Sequence, residues 1–377
     1  MTIAYLGFVF TGVVNTFMGP ILPELAARWQ LSDSRAGYFF ATQFFGSILG
    51  VGMSSLLLPR RGFRFCIGLA YLLMAAGVSG MALPQWSYAL VGAFVLGFGF
   101  GLVIPATNLL ISVENPDRRA SALSILNFCW GLGAVLAPAA IAICAHRNHA
   151  SAFVLVLSMS LLLLTVALFL APGAEPPLEE KQPRSRRHTP VPWRFAAMVG
   201  GMFYLYVAIE SSIGGWIATL AKRTSFADAG HWALAPSLFW AGLLAGRGLA
   251  PLVLTRVREC RLAFYSLIIA VSGQCLIVAS SEWKSIAAAG FVIGLGLAAV
   301  FPITIALLAR FQDAEKRIAG PMFALAGIGG TTMPWVVGLV STWTGSLQRG
   351  LIVPLLSTVL LLWLHPAVDH ESNRRTL

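Results

Sequence analysis

GFGFGLVIPATNLLI (residues 97–111) and GLGLAAVFPITIALL (residues 294–308) are one pattern written twice. Pro105 falls over Pro302 and Thr107 over Thr304, and the charged turns that follow set Arg118 and Arg119 against Lys316 and Arg317. Gly131, Gly133 and Pro138 then fall over Gly327, Gly329 and Pro334, while upstream Gly46 and Gly50 fall over Gly242 and Gly246. The offset stays between 196 and 198 throughout, which chance does not maintain. The chain reads as two copies of one unit.

Each unit is made for lipid. Hydrophobic residues are 57% of the 377 and charged residues 11%, a balance that suits a polytopic membrane protein and no soluble core. The glycine-rich runs lie inside apolar stretches, so a nucleotide-binding loop is excluded by context. A net charge of +11 might suggest nucleic acid, yet the bases sit in short clusters between apolar runs, as membrane loops do, and no nucleic-acid partner is expected. A bilayer needs about 20 residues per helical span. Twelve such spans are expected: 3–24, 36–58, 65–83, 88–112, 120–144, 151–172, 195–218, 233–255, 262–280, 286–309, 318–341 and 350–365. No basic stretch precedes the first, which therefore reads as a retained helix and not a cleaved signal.

An even number of spans puts both termini on one side. With the N-terminus inside, 18 lysines and arginines fall in inner loops and tail and 7 in outer loops, leaving Arg247 within the eighth span. That asymmetry satisfies the positive-inside rule and predicts cytoplasmic termini. The proline-rich, charged stretch at 173–193, with EEKQPRSRRHTP, reads as a cytoplasmic linker between a six-helix bundle at 1–172 and another at 194–377 with a short tail. The five cysteines show no metal or redox spacing and read as small apolar fillers.

The sixth and twelfth spans are leucine-rich and nearly featureless, so spans 3, 6, 9 and 12 are expected at the periphery. Glycines, prolines and polar residues concentrate on the others, which then surround a central site. FYLYVAIESSIGGWIATL (203–220) carries one carboxylate, Glu210, at membrane depth. Such an acid marks a substrate or ion pathway, or else is tied up between helices. On a helix, Phe203, Tyr206 and Gly214 share its face, and Gly214 leaves room beside it. Arg247 is the one base at that depth, about 10 Å from Glu210 along the membrane normal at 1.5 Å rise per residue. Long side chains could close that gap directly or through solute or water. A structural pair and a switchable coupling pair both fit.

On the inner spans, amides fall in the first half: Asn15, Gln43, Asn108 and Asn127, on spans 1, 2, 4 and 5, against apolar partners such as Phe239, Ile305 and Phe323 in the second. They act either as glue between helices or as ligands for a solute. With Trp130 in the first half and Tyr206, Trp240 and Trp335 in the second, they suit a neutral polyhydroxylated molecule, because each hydroxyl both donates and accepts. Gln274, on a peripheral span, reads as structural. No nucleophile–base set or metal motif is present, so neither an enzyme nor a cofactor is expected.

Two parallel six-helix repeats resemble the major facilitator superfamily over the whole chain. The loop LPRRGFRF resembles that family's loop after the second helix, with Pro59 where its aspartate would fall. NTFMGPILPELAARWQLSDSRAGYFF, YVAIESSIGGW and FWAGLLAGR look most like the fucose–galactose–glucose:proton symporter group. GLGAVLAP (131–138) resembles the fifth-helix motif of drug:proton antiporters, but GIGGTTMP repeats it in the second half, so it reads as a packing feature. The resemblance implies an all-α transporter of twelve membrane helices moving a small polar solute, a sugar, by alternating access between the halves. It further implies coupling to protons, or to sodium, through Glu210, in a monomer among the lipids of a bacterial inner membrane. The alternatives are a proton-coupled exporter of amphipathic compounds and, from another class, a non-transporting receptor or scaffold.

Overall fold

A computed structural model of the protein describes residues 2–146, 150–171, 193–224, 231–309 and 312–373. The linker expected at 173–193 lies, apart from Trp193, outside the described residues. So do the loop bases Arg147 and Arg310 and the tail bases Arg374 and Arg375. What is described is helical because hydrocarbon gives a peptide group no partner except another peptide group.

The α-helices run in order: α1 (Thr2–Thr16), α2 (Met18–Arg28), α3 (Asp33–Met81), α4 (Trp86–Glu114), α5 (Arg119–His146), α6 (Ala150–Leu170) and α7 (Trp193–Thr224). Then follow α8 (Leu234–Leu254), α9 (Glu259–Ala279), α10 (Trp283–Leu297), α11 (Val300–Ala309), α12 (Gln312–Thr344), α13 (Leu347–Gly350) and α14 (Ile352–Asn373). Among the described residues, ten helical spans meet the length and hydropathy a bilayer requires, and the bent pair α1/α2 makes an eleventh if it is one span. Helix α3, 49 residues long, contains Gly62 at φ 77° and ψ 176°. That left-handed φ is open to glycine and costly for other residues, so α3 is two spans joined at the LPRRGFRF loop. Divided there, it accounts for the second and third spans expected.

Boundaries differ from the sequence reading for local reasons. The first span extends to Arg28 and breaks at Phe17 with a 42° bend. Pro20, one turn on, has no N–H for the carbonyl of Thr16. The tenth span is divided between α10 and α11, and the twelfth begins at α13 and runs on to Asn373.

By internal contacts the chain divides into two units. The first comprises Met1–Leu31, Tyr38–Gln182 and Ala227–Ser237; the second comprises Ser32–Gly37, Pro183–Phe226 and Leu238–Leu377. Within the first, α1 packs chiefly on α5; within the second, α7 packs on α12 and α9 on α10. The glycines of the repeat make these contacts. A Cβ on Gly97 would strike the backbone carbonyl of Gln43, and one on Gly294 would strike that of Phe239. Gly46 and Gly242 likewise face the carbonyls of Phe94 and Phe291. Gly133 faces that of Val9 and Gly329 that of Tyr204. Gly133 of GLGAVLAP and Gly329 of GIGGTTMP thus serve packing. Small residues are what let helices approach this closely in lipid, where no hydrophobic force drives them together.

The leucine-rich α6 and α14 leave Leu155, Leu163, Leu356 and Trp363 exposed, as peripheral helices do. Gln274 of α9 is fully buried, its Nε2 donating to Thr358 Oγ1 at 2.7 Å, so it ties α9 to α14.

Valine at Gly97 or at Gly294 is expected to force its helix pair apart and lower stability by about 1–3 kcal/mol. Alanine at Gly52, where nothing lies within 4 Å of an added Cβ, should be neutral. Thermal midpoints of the three variants in detergent test this, and equal midpoints would remove the glycine contacts from the account.

Candidate functional site

In the first unit, the side chain of a lone amide must find a partner or stay open to one. Asn108 turns its Nδ2 back to the carbonyl of Ile104 at 2.8 Å, and Asn127 does the same to Leu123 at 2.8 Å. Both bonds stay within their own helix, one turn back. Asn15, two residues before the break at Phe17, is half-buried and makes no hydrogen bond among the described residues. Gln43 is 3% exposed, and its Oε1 is sealed without a donor. Among the described residues none of the four bonds to another helix. Asn127 is exposed, Asn15 and Asn108 are partly so, and Gln43 is enclosed. Trp130 packs beside Phe8 and Leu126 in a small apolar cluster, and its backbone carbonyl meets Gly12.

In the second unit, Glu210, Tyr206 and Arg247 come together. The Tyr206 hydroxyl donates to Glu210 Oε1 at 3.1 Å, one helical turn away. Arg247 Nη2 donates to the same oxygen at 3.5 Å, closing an ion pair whose side chains remain 29% (Arg247) and 17% (Glu210) exposed. The long side chains therefore bridge the depth difference directly. The pairs 210–247 and 214–240 run in opposite senses, so α7 and α8 are antiparallel here. A helical side chain leans toward its own N-terminus, and on antiparallel helices these two lean toward each other. Arg247 Nε is buried without an acceptor.

Aromatic rings wall this group. Tyr206 stacks on Phe301 with centroids 4.9 Å apart and planes 27° from parallel. Phe203 meets Phe301 at 5.5 Å and Phe323 at 5.4 Å, both edge-on. The room expected beside Gly214 is filled: a Cβ there would lie 2.9 Å from Trp240 and 3.3 Å from Phe239. Trp240 therefore serves as packing on α7 at this point. Trp335 lies against Gly37, whose added Cβ would stand 3.0 Å from the Trp335 Cα. Trp216, fully buried, donates its Nε1–H to the Pro334 carbonyl at 2.8 Å.

Sequence reasoning missed two features. Phe301, beside Pro302 and just after the helix break at Ala298–Ala299, is the ring on which Tyr206 stacks. Arg223 was counted as an outer-loop base, whereas it closes α7 and holds Asp33 by two bonds, Nη1 to Oδ2 at 2.7 Å and Nη2 to Oδ1. Ser341 donates to the same carboxylate at 2.6 Å. An acid opening one helix and a base closing another at the same membrane face was the available signal.

Comparison with known proteins agrees with this architecture. The chain is 23% identical over 356 residues to a glucose/mannose transporter of Bacillus subtilis, covering 89% of this chain and 86% of that one. It is also 23% identical to sodium-dependent glucose transporter 1A of Mus musculus, covering 89% and 88%. The solved structure of a variant of the fucose:proton symporter of E. coli superposes with a TM-score of 0.63 at 17% identity, over 97% of this chain and 98% of that one. The sequence model of the Major Facilitator Superfamily matches residues 4–317, and the chain, an integral membrane protein, belongs to that family.

Proposed function

We propose that the protein is a secondary active transporter that moves a small polar solute, a sugar, by alternating access. The observation that carries this reading is that Asn15, Gln43, Asn108 and Asn127, the amides singled out on the first unit's inner helices, make no bond to another helix among the described residues. Amide groups left open at membrane depth are costly unless a ligand or water meets them. Asn15, Asn108 and Asn127 offer both donors and acceptors to hydroxyls, with Gln43 enclosed behind them. Trp130 in the first unit and Trp335 in the second, both half-buried, offer aromatic faces in this reading, whereas Tyr206 and Trp240, at 1% and 6% exposure, are enclosed and do not meet the solute. The names of the glucose/mannose, glucose and fucose transporters to which the chain is similar support a sugar over an amphipathic compound.

Coupling rests on Glu210 and Arg247. A carboxylate that gains a proton loses its attraction to the guanidinium, so the pair is a switch that one proton operates. The names of the relatives point both to protons and to sodium as driving ions, and Glu210 supports the proton. The excess of lysine and arginine in the inner loops supports cytoplasmic termini in a bacterial inner membrane.

Asn108→Ala and Asn127→Ala are each expected to weaken sugar binding by roughly tenfold to a hundredfold, the worth of about 1–3 kcal/mol, with the fold intact. Binding measured by calorimetry on purified protein checks this; unchanged affinity in both would return the amides to packing.

Glu210→Gln keeps the shape and cannot ionise. In proteoliposomes it should abolish proton-driven accumulation of D-glucose or D-mannose and still permit counterflow. Full accumulation by this variant would sink the coupling role. Loss of folded protein, restored by adding Arg247→Gln, would show instead that the pair only braces α7 against α8.

A further inference from the structure

Tyr206 and Arg247 direct their hydrogen bonds to the same atom. Both reach Glu210 Oε1, at 3.1 and 3.5 Å, while Oε2 has no donor among the described residues. The terminal torsion of a glutamate is broad and two-fold, so one donor alone lets its oxygens change places. Two donors arriving from different helices on one oxygen hold the carboxylate in a single orientation. The Tyr206 donor is itself fixed: the residue is 1% exposed, and its ring is stacked on Phe301, which Phe203 and Phe323 hold edge-on. Among the described residues, the ionisable groups acting on Glu210 are Tyr206, from its own helix, and Arg247, from α8. Helices α10, α11, α12 and α14 also pack on α7 and add no charged group to these.

We propose that Tyr206 is the positioning residue of the coupling site: by holding Oε1 it reserves Oε2 as the oxygen that takes the proton and meets a solute hydroxyl. This rests on the coupling role given to Glu210 above. In loading, an O–H bond of a hydronium ion breaks as its proton bonds to a lone pair of Oε2, leaving water and a neutral carboxylic acid. In release, the Oε2–H bond breaks and the proton bonds to a water on the other side, re-forming hydronium and the carboxylate.

Tyr206→Phe removes the hydroxyl and keeps the ring on Phe301. With D-glucose or D-mannose in proteoliposomes, proton-driven accumulation should fall about tenfold, the worth of one hydrogen bond to a charged group. Counterflow exchange should stay within about twofold of the unsubstituted protein, and the thermal midpoint should not move. A purely structural tyrosine would lower exchange, accumulation and midpoint together, and that result overturns the proposal. Phe301→Leu, which keeps the hydroxyl and frees the ring, provides the second arm and should also lower accumulation more than exchange; equal effects overturn the proposal even if the phenylalanine variant does not fold. Accumulation kept by Tyr206→Phe but lost by Glu210→Gln ends the positioning role and leaves the coupling role standing. Accumulation kept by both, or no counterflow of either sugar by the unsubstituted protein, ends the underlying reading.

Discussion

Close approach of helix backbones is the constraint on which the structure depends. Inside a bilayer, lipid chains are as apolar as leucine, so helices gain little by burying side chains against one another. What holds them is contact at short range, and that requires positions without a side chain. Gly97 against the Gln43 carbonyl and Gly294 against that of Phe239 are such positions, as are Gly133 against Val9 and Gly329 against Tyr204. Each unit is organised by the same crossings, and the polar residues are displayed on helices that these crossings fix.

This explains why the architecture was legible. A glycine that meets a backbone cannot be replaced cheaply, so it persists in both copies and gives the repeat its fixed offset. The peripheral helices α6 and α14 were legible because they leave large leucine-rich surfaces exposed, and their composition says so. The breaks at Phe17 and Gly62 were less visible, since each depends on a local backbone event. At the first a proline one turn later withholds an N–H; at the second a single residue adopts φ 77°.

The site was legible in its residue types and less so in its bonds. The sequence named Glu210, Tyr206 and Arg247 and placed the acid and base about 10 Å apart along the membrane normal. Their direct bond follows from the lean of side chains on antiparallel helices, which a count of residues along one axis does not contain. The amides were found by type, but whether each faces its own helix, a neighbour or open space is a choice of rotamer. Asn108 and Asn127 turn to their own helices, and Gln43 is enclosed, a difference no spacing predicts. Gly214 looked like a vacancy and is instead the seat of Trp240, because a small residue invites the nearest large one.

The glycine crossings read only the backbone of the residue they touch. Gly97 meets the carbonyl of Gln43 and Gly294 that of Phe239, so the same joint accepts an amide in one copy and an aromatic ring in the other. At this joint the side chains are not what makes the contact, although Phe239 goes on to pack against Gly214 of α7. Each copy can therefore carry a different side chain at this position while the backbone contact stays the same. A joint of this kind lets the chemistry beside it differ between the copies while their architecture stays alike.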